Sequence, residues 1–261
     1  MRLDCAEAAA LRSWAAAVAI ALLALGKHAG AQSALPSGLV YLRDVDPSIA
    51  QDIRYSGFDN FVGRPLPGYE AAECVLRQDV AAALKRVQAD LAGSGLSLKV
   101  YDCYRPTRAV RGMAEWVNNG RPDGATKRFF PRLPKNSLMR LGYIAARSQH
   151  STGTTIDLTL IKTPATPPAP FDRAADYGPC TGLAAQRSPD NSVDMGTSFD
   201  CFDSASHTAS NAINADQRRW RNTLLEAMRK RGFGNYHREW WHFSYTRSAR
   251  TSSHDFPIRA R

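Results

Sequence analysis

The chain has 261 residues, of which 44% are hydrophobic and 22% charged, proportions ordinary for a globular protein of one large domain or two small ones. Its formal net charge is +10, but the basic residues are scattered and carry no zinc-finger spacing or aromatic-basic repeat. Nucleic acid is therefore not indicated as a partner, and a solvated basic surface is the better reading.

The N-terminus departs from this composition. Trp14 to Leu25 is an unbroken run of apolar and small residues, preceded by Arg2 and Arg12 and followed by Ala29-Gly30-Ala31. Such a run is too short to span a bilayer but suits a signal-peptide core with a small-x-small cleavage site. Residues 1–31 are expected to be removed, leaving a chain of residues 32–261 with a charge near +9 in the periplasm or outside the cell. No second apolar run reaches transmembrane length, and a monomer is the default expectation.

Export makes the cysteines legible. Cys5 leaves with the signal, while Cys74, Cys103, Cys180 and Cys201 remain. An even number in an oxidising compartment suggests two disulfides. Locality favours Cys74–Cys103 and Cys180–Cys201, and the lack of any C-x-x-C spacing counts against a cysteine zinc site.

Leu39 to Tyr55 reads as an entry segment of two short apolar stretches split by Asp46-Pro47, and Gly57 to Gly68 is rich in turn residues. Leu76, Val80, Leu84, Val87 and Leu91 follow helical spacing until Gly93 and Gly95 stop them. Leu96, Leu98 and Val100 alternate with Ser97 and Lys99, which predicts a half-buried strand leading into Tyr104-Arg105. Pro106 then opens a helix carrying Val110, Met113 and Val117 on one side. Thr154 to Ile161 is a second strand, with Asp157 on its polar face.

A proline-rich, irregular excursion follows at about 162–193. Asn214 and Gln217 resemble a capping box that starts a helix through Trp220, Leu224, Leu225 and Met228, ending at Gly232. Trp240 to Tyr245 is a final aromatic strand. Strands and helices mix without strict alternation, so the fold class is α+β.

Two short segments concentrate the chemistry: Ser148-Gln149-His150 through Asp157, and Glu239-Trp240-Trp241-His242. They supply two imidazoles and a carboxylate, with a second carboxylate nearby. That inventory suits a catalytic zinc with three protein ligands and an acid/base beside it. His207 and His237 are rival ligands, His237 the stronger. Glu239 is the natural general base, although it and His242 would point to opposite faces of a straight strand. Arg105, at a strand end before Pro106, could stabilise an oxyanion or clamp a carboxylate.

These segments, with Tyr104-Arg105-Pro106-x-Arg108-Ala109-Val110, resemble those of the VanX-type D-alanyl-D-alanine dipeptidases, members of the D-Ala-D-Ala metallopeptidase superfamily. The likeness extends to Ile53-Arg54-Tyr55, Asp59 to Pro65, Met195 to Asp200 and Gly232-Phe233, and so covers nearly all of the chain after residue 31.

The resemblance implies one zinc held by His150, Asp157 and His242, with Glu239 as catalytic base and Arg105 as transition-state stabiliser. It places Tyr55, Ser148 and Asp200 around a small D,D-dipeptide, Asp200 being suited to the free ammonium group. It further implies a compact single domain with a mostly antiparallel sheet, flanking helices and the zinc in a small cavity. The chain departs from the family pattern in its excursion and in Cys103 and Cys201. Two other readings stay open: a zinc D,D-carboxypeptidase acting on peptidoglycan stems, and a non-catalytic zinc module that binds cell wall.

Overall fold

The alternating apolar residues of Leu96–Val100 and Ile156–Leu160 build the two central strands of the sheet. The computed structural model describes residues 35–121, 123–249 and 252–261, and the expected signal segment lies outside them. In chain order the main elements are β1 (Leu39–Tyr41), α1 (Leu42–Val45), β2 (Ala50–Gln51), β3 (Val75–Arg77), α2 (Gln78–Ala92) and β4 (Leu96–Asp102). They continue with α3 (Thr107–Asn118), β5 (Thr155–Lys162), α4 (Ala215–Lys230), β6 (Phe233–Asn235) and β7 (His242–Tyr245).

A five-stranded sheet runs in the order β2-β4-β5-β7-β6, and β1 pairs with β3 as a separate ribbon. The β2–β4 pair is parallel and the other pairs are antiparallel, as an α+β fold with a mostly antiparallel sheet requires. Helix α2 packs on β4 and against α4, and α4 packs on β5 and β6. Helix α4 starts with both halves of the capping box in place, Gln217 N–H to Asn214 Oδ1 and Asn214 N–H to Gln217 Oε1, each at 2.9 Å. Residues 35–261 form one compact unit.

Three local expectations are corrected. Leu76 lies on β3, not on the following helix, because its backbone pairs with Val40 of β1. All seven residues of β4 are buried, so it is not half-exposed. The excursion returns over it: Lys99 Nζ donates to Asp190 Oδ1 at 2.6 Å, and the Tyr101 hydroxyl donates to Asp190 Oδ2 at 2.7 Å. A buried lysine is tolerated there because its charge is paired. Finally, the aromatic segment enters the sheet at His242, two residues later than the Trp240 expected, and β6 supplies a partner that the sequence had not revealed.

The two disulfides pair as locality suggested, Cys74 with Cys103 and Cys180 with Cys201. The first ties the residue before β3 to the residue that follows β4. The second ties the excursion to the residue after Asp200.

The register of the sheet creates a polar row. Asp102 is opposite Asp157, and Asp157 is opposite His242. A bulge between Val100 and Asp102 shifts the β4 register to make this alignment.

Candidate metal centre and active site

His150 reaches the row from a one-turn 3₁₀ segment, Gln149–Thr152, that leads into β5. Ser148 caps the turn, its hydroxyl accepting from His150 N–H at 3.3 Å. Gly153 ends the turn with φ of 72°, and a Cβ there would lie 2.8 Å from Leu39 Cδ2, so only glycine suits both the backbone and the space. His150 Nδ1 lies 2.7 Å from the Cys103 carbonyl. A carbonyl only accepts, so Nδ1 carries the proton and Nε2 presents a lone pair to the site.

Three donor atoms then converge. His242 Nδ1 is 3.0 Å from Asp157 Oδ1, His150 Nε2 is 3.3 Å from that same oxygen, and the two ring nitrogens are 3.3 Å apart. Asp157 Oδ1 is buried with no hydrogen-bond partner. An orphan carboxylate oxygen facing imidazole nitrogens is costly unless a cation completes it. Tetrahedral coordination at about 2.0–2.1 Å would set donor atoms roughly 3.3 Å apart, so the residues present fit a small divalent ion. Among the described residues this is the group of histidine and acidic side chains whose donors converge in this way. The rivals His207 and His237 stand with their rings 6.5 Å apart beside a separate open depression.

Glu239 lies in the turn before β7, and that position resolves its conflict with His242. His242 N–H donates to the Glu239 carbonyl at 3.3 Å, a tight turn that brings both side chains to one side. Glu239 Oε2 is 3.6 Å from His242 Nδ1. Asn235 Nδ2 donates to the Glu239 and His242 carbonyls, both at 3.0 Å, and so holds the turn closed. Asn235 was not singled out in the sequence, since a side chain bonded to distant backbone leaves no local pattern.

Arg105 donates to Asp102 Oδ2 at 2.8 Å and to Asp157 Oδ2 at 3.4 Å, with its guanidinium 4.9 Å from the centre of the Tyr55 ring. Asp102 is the principal residue the sequence reading missed. It is fully buried, accepts from the Tyr69 hydroxyl at 2.5 Å and lies 3.3 Å from His150 Nδ1. Its position at the end of a strand, three residues before Arg105, was the available signal. Asp200, only 4% exposed, accepts from the Tyr55 hydroxyl at 2.8 Å and adopts φ of 56°, a strained value for a non-glycine residue.

Tyr55, Arg105, Ser148, Asp157, Asp200, Glu239 and His242 line one cavity of about 240 Å³. Its carboxyl groups are differentiated. Burial, with the neighbouring charges of Asp157 and Asp200, pushes Glu239 well above the ordinary carboxylate range, against the opposing pull of Arg105. Burial and the Asp157 charge push Asp200 up similarly. Burial would also raise Asp157, but the adjacent His150 and His242 imidazoles hold it below its ordinary value. An ionised ligand beside a proton-holding carboxyl is the division of labour that acid/base chemistry needs. A bound dication would favour the ionised form of all three.

Side-chain donors that could hold one metal ion, a buried carboxyl beside them and a small cavity are features that suit a metallopeptidase. The D-Ala-D-Ala dipeptidase family matches residues 36–176 and 179–257, and the chain belongs to it. It is 30% identical to the D-alanyl-D-alanine dipeptidase of Enterococcus faecium over 223 residues, 85% of this chain and 98% of that one. It is 31% identical to the enzyme of that name from Enterococcus faecalis over 209 residues, covering 80% and 92% of the two chains. With the Streptomyces coelicolor enzyme the identity is 32% over 220 residues, covering 84% and 96%. The protein is a peptidase.

Proposed function

We propose that this enzyme hydrolyses D-alanyl-D-alanine and related D,D-dipeptides with a free N-terminus, using one zinc ion held by His150, Asp157 and His242. The observation that carries this reading is the presence, in one small cavity, of the converging donors, Glu239 and the buried Asp200. One hard carboxylate and two borderline imidazoles favour zinc among common ions. When bound, the ion supplies Lewis-acid chemistry, acidifying water and polarising a carbonyl.

The protein's own groups perform the remaining work. Glu239 takes the proton of the attacking water and returns it to the departing amine. Its raised proton affinity suits that exchange. Arg105, anchored by Asp102, directs N–H groups at the oxyanion as it develops. Asp200, oriented by Tyr55, receives the substrate ammonium, and Ser148 lines the same cavity while fixing the His150 turn.

Two disulfides support an exported protein with residues 1–31 removed. Among the described residues no helix is long and apolar enough to cross a membrane. Comparison of D-Ala-D-Ala with its N-acetyl form tests the reading. The free dipeptide should be strongly preferred, because acetylation removes the charge that Asp200 meets. Preference for the acetylated compound would transfer the enzyme to the carboxypeptidases.

A further inference from the structure

We propose that Arg147 binds the C-terminal carboxylate of the substrate and so selects dipeptides whose carboxyl terminus is free. The inference rests on the dipeptidase reading and names a residue that the reading leaves without a role.

The charged groups lining the cavity are Asp157, Asp200, Glu239, Arg105 and Arg147. Arg105 is committed to Asp102 and Asp157. Arg147 is exposed and makes no hydrogen bond or ion pair among the described residues. A carboxylate entering a site lined by three acids needs a cation that is still available, because an uncompensated charge loses its hydration without replacement. Arg147 is that cation, and a guanidinium suits a planar carboxylate through paired N–H donors.

Its place in the chain is next to the turn that carries His150. Arg147 immediately precedes Ser148, which caps the turn carrying His150, and that turn is anchored on the Cys103 carbonyl. Asp200 and Tyr55 are buried, whereas Arg147 is an exposed residue of the same lining. The ammonium partner, Asp200, is thus inside the cavity and the available guanidinium is at its rim. A zwitterionic dipeptide matches that polarity in one direction, with its ammonium inward and its carboxylate outward.

Calorimetry on the zinc-loaded Glu239→Gln protein isolates binding from turnover, using D-Ala-D-Ala and its C-terminal amide as ligands. The free acid should bind about tenfold tighter than the amide, the scale of one charge-assisted hydrogen bond at an exposed site. Adding Arg147→Gln should erase that advantage, adding Arg147→Lys should keep most of it, and raising salt to about 0.5 M should shrink it through screening. An acid-to-amide ratio unchanged by Arg147→Gln would overturn the proposal. Turnover of D-Ala-D-Ala by the parent enzyme reports separately on the reaction. Arg147-dependent binding without turnover would uphold this subsite and sink the dipeptidase reading, and turnover with Arg147-independent binding would do the reverse.

Discussion

Glu239 and His242 are joined through their backbones, His242 N–H donating to the Glu239 carbonyl at 3.3 Å, and this turn puts the Glu239 carboxyl and the His242 imidazole on one side of the chain. Asn235 secures both carbonyls from the neighbouring strand. Its Oδ1 also accepts from the Thr208 hydroxyl at 2.6 Å. Replacing Asn235 by Ala should cost about 1–3 kcal/mol of stability for three lost hydrogen bonds and should lower kcat more than it raises KM. Denaturant unfolding and steady-state kinetics check both parts, and an unaltered kcat would remove Asn235 from the positioning of this turn.

Glu239→Gln keeps the shape of the side chain and removes its ability to accept the proton of water. Turnover should fall by about 10²- to 10⁴-fold while zinc stays near one per chain. Elemental analysis beside the activity assay separates the two effects. Normal activity in this variant would show that the base lies elsewhere.

Removal of the metal should be felt by the fold, because Asp157 Oδ1 has no other partner. A ligand present at a hundredfold its Kd stabilises by about 2.7 kcal/mol, so chelation should lower the thermal midpoint by roughly 5–10 °C and zinc should restore it. His242→Ala should lose stoichiometric metal and His237→Ala should retain it. Calorimetry with metal analysis decides between them, and zinc lost in the His237 variant instead would revise the donor set.

The Asp190 cluster predicts the acid response of the fold. Burial alone would raise this carboxyl, but Arg54 and Lys99 hold it well below the ordinary range. A depressed folded pKa contributes stability that is present above the unfolded value of about 3.9 and is lost as pH falls through the folded value. Asp190→Asn should therefore cost about 1–3 kcal/mol at pH 7, where the buried Arg54 and Lys99 lose one of their partners, and progressively less below about pH 4. Urea unfolding of both proteins across that range tests the sign. A gap that widens on acidification would contradict it.

Cys201 directly follows Asp200, whose backbone is held at φ of 56°, and the Cys180–Cys201 bridge spans 21 residues of sequence. Replacing both cysteines by serine should cost about 3 kcal/mol through the freed loop. It should also raise KM for D-Ala-D-Ala by roughly tenfold as Asp200 loses its fixed position. If KM stays constant while the thermal midpoint drops, the bridge serves stability alone.

Much of this protein was determined locally. The capping box of α4, the positions of β4 and β5, the amphipathic spacing of α2 from Val80 to Leu91 and the nearest-neighbour cysteine pairing are short-range patterns that appear in the structure where the sequence placed them, whereas the alternation in β4 and β5 does not carry over into one exposed face. The candidate donors His150, Asp157 and His242 were nameable because two short segments concentrate imidazoles and carboxylates, and the family resemblance then preferred them to the rivals His207 and His237. Tertiary structure decided what depends on distant backbone. The bulge in β4 aligned Asp102 with Asp157, the unforeseen strand β6 brought Asn235 to the Glu239 turn, and the returning excursion buried Lys99 against Asp190. Register and long-range hydrogen bonds leave no periodic trace in sequence, so only the folded chain turns a list of donors into a site with an inside, a rim and a direction.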